Sequence, residues 1–479
     1  MAKLTCKNFF NGRWETGVTT GISTNPSDLD EVVAEYARAD RDQTDLAVRA
    51  AADAGPSWAL ATPQRRADAL DTIGHELLAR RDELGALLAR EEGKTLPEAV
   101  GEVARAGNIF KFFAGEALRL GGERLASTRV GVDVEVTREP VGVVGLITPW
   151  NFPFAIPAWK IAPALAYGNS VVFKPAELVP ACGWALAEVI SRAGLPAGVF
   201  NLVMGGGRQV GQALVDHPLV QALSFTGSVG TGRQILKATA ERGAKVQLEM
   251  GGKNPLVVLA DADLEQAVDC AVQGAFYSTG QRCTASSRLI VEAAIHDKFV
   301  ARLRERTAAL KVGHALHRDT QIGPVVDEHQ LQQNRQYLDI AREEGAEHLV
   351  GGELLERETR GHFMAPALFL ARPEHRVARE EIFGPVACVV RADDYAHALA
   401  LANDTPFGLC AGICTTSLKH ATHFKRHAQV GMTMVNLPTA GVDHHVPFGG
   451  RKSSSHGSRE QGRHAAEFYT TVKTAYTLA

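Results

Sequence analysis

Residues 278–288 read STGQRCTASSR and set one cysteine among small polar residues. Cysteine is usually a buried small hydrophobe, inert in a core. Gly280, Gln281, Arg282, Thr284, Ser286 and Ser287 make poor core lining, so Cys283 is read as a reachable sulfur with free backbone N–H groups beside it. A cysteine nucleophile needs a donor for the charge it creates and a base for the protons that move. Two other stretches offer them. TPWNFP, residues 148–153, follows the apolar run VGVVGLI and holds Asn151 between two aromatics in a proline-fixed turn. Asparagine is also a common turn residue, but its neutral amide can be aimed at an oxyanion, a role worth about 2.7 to 4 kcal/mol. KVQLEMGGKNP, residues 245–255, ends an apolar strand on Glu249 just before two glycines. A carboxylate entering an apolar setting has a raised pKa, which suits a general base near neutral pH; a salt-bridged glutamate at a hinge is the other reading.

Three further stretches could take a dinucleotide. MGGGRQVGQAL, residues 204–214, puts Gly205, Gly207 and Gly211 between a strand and a helix, one residue longer than the usual G-x-G-x-x-G spacing. Tight turning alone also explains such glycines. ALSFTGSVGTGRQIL repeats the arrangement, and Gly227 with Ser228 would open a helix whose free N–H groups face a pyrophosphate. VVFKPAE places Lys174 and Glu177 at the end of a buried strand, the edge at which open α/β sheets bind ligands. Glu177 could accept from ribose hydroxyls, or the two could be an ordinary surface pair.

Positioning these residues requires a sheet. Short apolar β-branched runs (VGVVGLIT, SVVFK, VFNLVM, VQALSF, KVQLEM) alternate with helical stretches, which predicts a parallel α/β sheet. After Cys283, the runs SRLIVEA, PVACVV, CAGICT and MTMVN predict a second α/β unit. From Thr62, a cap threonine, proline at the first helical position and Leu70, Ile73, Leu77, Leu84 and Leu88 at helical spacing predict one amphipathic helix with arginines and glutamates on a solvated face. GVDVEVTR, residues 131–138, alternates strictly, and FYTTVKTAYTL near the C-terminus reads similarly. These two strands could pair with each other or with another subunit, and they are taken as an oligomerisation element.

Composition excludes several classes. The chain has 479 residues, 45% hydrophobic and 22% charged, enough for two or three domains. A net charge of -3 offers no basic field for nucleic acid. No run approaches the roughly 18 to 20 apolar residues of a membrane span, and the N-terminus has no signal-like apolar region, so a cytoplasmic location is expected. Seven scattered cysteines without C-x-x-C spacing argue against a disulfide framework and against bound metal.

TPWNFP, KPAE, SFTGSVGTG, LEMGGKNP, GQRCT, EEIFGPV and PFGGRKSS, in this order and at these separations, resemble the NAD(P)-dependent aldehyde dehydrogenase superfamily over essentially the whole chain. Stretches such as STGQRCTASSRLIV, NLPTAGVDHHVPFGG and AEFYTTVKTAYT look most similar to its α-ketoglutaric semialdehyde (2,5-dioxovalerate) dehydrogenases. The resemblance implies an aldehyde dehydrogenase-like α/β fold: a Rossmann-type NAD(P)-binding domain from residues 1–119 and 141–250, an α/β catalytic domain from 251–452, and a small β oligomerisation flap from 120–140 and 453–479. It implies Cys283 as the nucleophile, the Asn151 amide and the Cys283 N–H as the oxyanion site, and Glu249 as the base that hydrolyses the thioester. Lys174 and Glu177 are carried over to the adenosine ribose, Gly227 and Ser228 to the pyrophosphate, and Glu381 with Phe383 to the nicotinamide ribose, with Trp150 and Lys160 near. Thr148, Pro149, Ala176, Gly207, Gly211, Phe225, Thr226 and Gly251 complete the cofactor side. NAD is favoured, because a carboxylate at the ribose repels a 2'-phosphate, while NADP stays open.

Phe152, Trp159 and Phe448 are expected to line the aldehyde tunnel. Arg282 is either an anchor for a substrate anion or the partner of a protein carboxylate. The substrate implied is α-ketoglutaric semialdehyde, with succinic or glutaric semialdehyde or a broad range of aliphatic aldehydes as rivals. A non-catalytic binding or structural protein of the same fold is the remote alternative. A homodimer or homotetramer is expected.

Overall fold

The computed structural model describes residues 3–478. Every apolar run singled out above is a strand. Five of them, Lys245–Glu249, Ala222–Thr226, Val143–Ile147, Ser170–Lys174 and Phe200–Leu202, form the parallel centre of an eight-stranded sheet in that spatial order. Antiparallel strands close it on both sides: Ser455–His456 beside Lys245–Glu249, and Asn8–Phe10 with Arg13–Glu15 beyond Phe200–Leu202. From Val143–Ile147 the chain order runs outward in both directions, which makes that strand a topological switch point. Ligands of open α/β sheets bind outside the carboxyl ends of the strands at such a point.

A seven-stranded sheet carries the second half of the chain. Its order is Glu347–Val350, Ala367–Leu370, Val386–Ala392, Arg288–Glu292, Pro255–Val258, Cys410–Cys414 and Met432–Val435, parallel throughout except at Glu347–Val350. Apolar clusters fill both of its faces, one around Val257, Ile290, Phe369 and Val390, the other around Leu256, Leu289, Phe299 and Val389. Such alternation of inward residues on neighbouring strands follows from the two-residue period of the pleat.

Thr470–Leu478 pairs antiparallel with Val132–Pro140, from Thr470 opposite Pro140 to Leu478 opposite Val132, and Glu123–Ala126 adds a third strand. The two alternating segments therefore pair with each other. The remainder of residues 453–479 lies elsewhere: Ser455–His456 joins the large sheet, and Ala466–Tyr469 is a helical turn whose Phe468 and Tyr469 are buried in its core.

The helix expected from Thr62 is two helices, Pro63–Ala79 and Arg81–Glu92. Thr62 caps the first by accepting from the Arg65 N–H, as its type and position predict. Arg80 breaks the run at φ -99° and ψ 12°. One straight helix of that length would extend about 45 Å; the break lets both apolar stripes pack on Leu96–Ala117. Its charges are also less exposed than a solvated face implies. Arg66, in the first turn, is buried and donates to the carbonyls of Ala59 and Ala61, and Arg90, Glu91 and Glu92 are buried because the last turn runs under neighbouring elements: Arg90 pairs with Glu31, and Glu91 accepts from the N–H groups of Ala181 and Cys182.

Candidate active site

The loops leaving four adjacent parallel strands bring the candidate residues to one edge. Thr148, Pro149, Trp150 and Asn151 follow Val143–Ile147; Pro175, Ala176 and Glu177 follow Ser170–Lys174; Gly227 and Ser228 follow Ala222–Thr226; and Glu249 ends its strand opposite Thr226. The Gly227 N–H donates to the Glu249 carbonyl at 3.0 Å, tying two of these loops together.

Asn151 is buried, and its position is fixed from beneath. Lys94 donates to the Asn151 carbonyl at 2.7 Å and to Glu102 Oε2 at 2.6 Å, and its ammonium lies 3.7 Å from the centroid of the Phe152 ring. Glu102 Oε1 accepts from the N–H groups of Phe154 and Ala155, so it holds the start of the helix Ala155–Ala166. The Asn151 side-chain amide donates one hydrogen to the Gln281 carbonyl at 2.9 Å, which leaves its second N–H.

Cys283 lies in the loop between the turn Tyr277–Gly280 and the strand Arg288–Glu292. It is the one cysteine among the seven that is partly rather than fully buried. Its carbonyl accepts from Asn254 at 2.7 Å, and the two residues before the turn's end, Ser278 and Thr279, hold left-handed backbone at φ 51° and 57°. Burial from the surrounding protein, followed by the charges of Glu249 and Glu381, pushes the thiol up to about 12. Glu249 is pushed up to about 8, chiefly by burial. Its Oε2 accepts from Ser455 at 2.6 Å and its Oε1 is buried without a partner. The two groups thus stand as a protonated thiol and a carboxyl raised to about 8, whose charge adds to the cost of ionising the thiol.

A cavity of about 400 Å³ opens over Cys283 and is lined by Phe152, Trp159, Phe448 and Arg282, among others. Trp159 and Phe448 stack at 5.0 Å. Arg282 spends its charge within the protein: Nη2 donates to Glu98 at 2.8 Å and to Ser278 Oγ at 3.0 Å. Of the two readings the sequence leaves for Arg282, pairing with a protein carboxylate is the one the structure contains. Among the described residues, the cation of the cavity without an ion pair is Arg105, which sequence reading did not single out.

On the other side of the edge, residues fit a dinucleotide. Thr148 Oγ1 and Thr226 Oγ1 are buried without partners at the ends of neighbouring strands. Ser228 caps the helix Val229–Glu241, accepting from Thr231, and no acidic residue occupies its first turn. The Phe225 ring lies under Gly227, where an added Cβ would fall 2.5 Å from it. Gly207 and Gly211 begin and end a short π-helical turn, and Gly211 stands over Lys174. Gly206 rather than Gly207 faces the Glu177 carboxylate, at 3.6 Å from its own Cβ position. Glu177 is also paired with Arg38, a residue the motif KPAE gives no hint of. Lys174 is lowered to about 8 by burial and donates to the Pro175 carbonyl. Glu381 accepts from the Gly252 N–H at 2.8 Å and occupies the space over Gly251, where a Cβ would fall 1.9 Å from Oε2. Phe383, at φ 62°, meets Trp150 edge-on at 5.4 Å. Lys160 is fully buried, paired with Glu460, and donates to Ser224 at 2.6 Å, beneath the sheet edge rather than in the cleft.

Residues 14–475 match the model of the aldehyde dehydrogenase family. The chain belongs to the aldehyde dehydrogenase family. It is an oxidoreductase of the aldehyde dehydrogenase type, and its fold is that of the family. It is 43% identical over 98% of its length, and 97% of the relative's, to an α-ketoglutaric semialdehyde dehydrogenase of Bacillus subtilis. An α-ketoglutarate semialdehyde dehydrogenase of Haloferax volcanii is also 43% identical, over 98% of both chains. The structure is similar to that of betaine aldehyde dehydrogenase from Staphylococcus aureus in complex with NAD+, at a TM-score of 0.96 and 34% identity, covering 98% of this chain and 95% of that one.

Proposed function

We propose that this aldehyde dehydrogenase oxidises a short acidic aldehyde, α-ketoglutaric semialdehyde, to its dicarboxylate, with NAD as the favoured hydride acceptor. The observation that carries the reading is the juxtaposition of Cys283 with a narrow aromatic cavity that also contains a guanidinium. The 43% identity to two dehydrogenases named for that semialdehyde supports the substrate.

Cys283 supplies the sulfur that adds to the aldehyde carbon. The thiol proton must leave first, and the free oxygen of Glu249, with a carboxyl poised near 8, is the base the site offers. The second Asn151 N–H and the Cys283 N–H receive the oxyanion, and the Lys94–Glu102 pair keeps the asparagine aimed. Bound NAD supplies the chemistry of hydride acceptance. Thr148, Pro149, Trp150, Lys174, Ala176, Glu177, Gly207, Gly211, Phe225, Thr226, Gly227, Ser228, Gly251, Glu381 and Phe383 would hold it. Once Glu249 has released the thiol's proton to solvent, it deprotonates the water that hydrolyses the acyl group left on Cys283. Phe152, Trp159 and Phe448 exclude other water from the cavity and hold the carbon chain.

The domain boundaries belong to the same proposal. Residues up to 119 and 141–250 form the cofactor domain, residues 251–452 the catalytic one, and 120–140 with 470–478 the flap through which subunits associate. No helix among the described residues is long and apolar enough to cross a membrane.

The test is the initial rate of NADH and NADPH formation with α-ketoglutaric, succinic and glutaric semialdehydes and with pentanal. The highest kcat/KM for α-ketoglutaric semialdehyde with NAD, abolished in Cys283→Ala, is the expected result. Equal rates with pentanal would remove the substrate assignment, and turnover in Cys283→Ala would remove the mechanism.

A further inference from the structure

The cavity over Cys283 is lined by five charged side chains: Lys94, Glu98, Glu102, Arg105 and Arg282. Four of them cancel in pairs, Lys94 with Glu102 at 2.6 Å and Arg282 with Glu98 at 2.8 Å. Arg105 is left over. Among the described residues it has no ion pair: Nη2 donates to Gln461 Oε1 at 3.1 Å, and Nε is buried without any partner. Its guanidinium lies 5.8 Å from the centroid of the Trp159 ring, on the wall that the substrate must pass.

The neighbouring acids are not available to it. Both oxygens of Glu102 are already used, one on Lys94 and the other on the N–H groups of Phe154 and Ala155. Asp443, on the loop at the cavity mouth, acts on the charge of Arg105 only from a distance: it is exposed and, among the described residues, makes no ion pair. The contact of Arg105 on the protein side is fixed. Gln461 is fully buried and held at φ 51°, a conformation that persists in a residue with a side chain only where the surroundings over-determine it. A half-buried guanidinium whose Nε is enclosed without a partner, and which has no carboxylate, is costly to keep. The cost is met when a ligand brings the anion, and the planar fork suits a carboxylate in two-point contact.

We propose that Arg105 is the specificity-determining residue of this enzyme, binding the carboxylate at the far end of an acidic aldehyde whose carbonyl is presented to Cys283. The inference rests on the acidic-aldehyde reading above and names the residue that would produce it. It also assigns the role that the sequence offers to Arg282, a loop residue, to one on the helix Leu96–Ala117. Trp159 and Phe448 cover the carbon chain between the two ends, so only the terminal groups need polar partners.

The test compares wild type with Arg105→Gln, Arg105→Lys and Arg282→Gln, using α-ketoglutaric semialdehyde, succinic semialdehyde and pentanal. The readout is the ratio of kcat/KM for each acidic aldehyde to that for pentanal. In Arg105→Gln the ratio is expected to fall roughly 100-fold, the size of a lost charge-assisted contact, with the loss in KM. Arg105→Lys should recover part of it, and Arg282→Gln should lower all substrates together. A second readout does not need turnover: glutarate should raise the melting midpoint of wild type and of Arg105→Lys, and not that of Arg105→Gln. An unchanged ratio in Arg105→Gln, a parallel loss on pentanal, or a selective loss in Arg282→Gln would overturn the assignment while leaving the acidic substrate in place. A wild type without preference for acidic aldehydes would remove both.

Discussion

Ser455 donates a 2.6 Å hydrogen bond to one oxygen of Glu249, and the other oxygen of that carboxyl is buried with no partner at all. One bond is too little to offset burial, so Glu249 is pushed up to about 8. Activity that depends on ionised Glu249 therefore rises through that pH. Ser455→Ala removes the largest interaction that favours the ionised form, ahead of the charges of Lys160 and Arg459, and moves the rising limb of kcat to higher pH, by about one unit. A limb that stays in place would show that another group controls it.

The same shift has a sign for stability. A carboxyl raised in the folded state costs nothing below the unfolded value of 4.5, where both states are protonated. The cost grows as pH rises through the interval to about 8 and is constant above it. Glu249→Gln is expected to raise the melting midpoint, more at pH 8.5 than at pH 4.5, as differential scanning calorimetry would show. An equal gain at both values would place the effect in packing and not in charge.

Lys94 and Glu102 carry the turn that presents Asn151. Both are buried, and each is needed to neutralise the other. Lys94→Met leaves Glu102 charged and unpaired and should cost about 3 to 5 kcal/mol of stability. Lys94→Met with Glu102→Gln should recover much of that stability without recovering kcat, since the Asn151 carbonyl still lacks its donor. Urea unfolding and kcat on the two variants separate the roles; a double variant with restored kcat would show that Asn151 holds its place unaided.

These dependencies also show what the sequence can and cannot disclose. The strands themselves followed from apolar runs because burial and pleat write themselves locally, while their order came only from the structure; the edge that gathers Asn151, Lys174, Gly227 and Glu249 follows from parallel topology. Cys283 was legible because small polar neighbours are unusual around sulfur. Arg105, Lys94 and Glu102 carry no such mark. They lie on or beside a helix whose other face is also rich in charge, and only tertiary pairing distinguishes a cancelled cation such as Arg282 from an uncancelled one. The break at Arg80 was hidden for a related reason: it has no glycine or proline, and packing on Leu96–Ala117 decides it.

Cofactor choice turns on Glu177 and Arg38. The carboxylate would repel a 2'-phosphate, while Arg38, now paired with it, is a latent partner for one. Glu177→Gln should raise the ratio of kcat/KM for NADP to that for NAD by about tenfold, equivalent to about 1.4 kcal/mol. Adding Arg38→Ala should cancel the gain. If Glu177→Gln alone leaves the ratio unchanged, discrimination lies outside this pair.

The three-stranded flap exposes apolar surface on one face. Register places Val132, Val134 and Val136 opposite Leu478, Tyr476 and Thr474, with Leu125 on the next strand beside Val134. Tyr476 and Leu478 are 61% and 74% exposed, and Thr470–Leu478 is the outer strand of its sheet. An edge strand with an apolar face invites pairing with another chain. Light scattering on wild type is expected to give a dimer or tetramer, and Tyr476→Asp with Leu478→Asp a monomer whose circular dichroism is unchanged, because neither side chain contributes to a core. A double variant that keeps the wild-type mass would move the interface off this face.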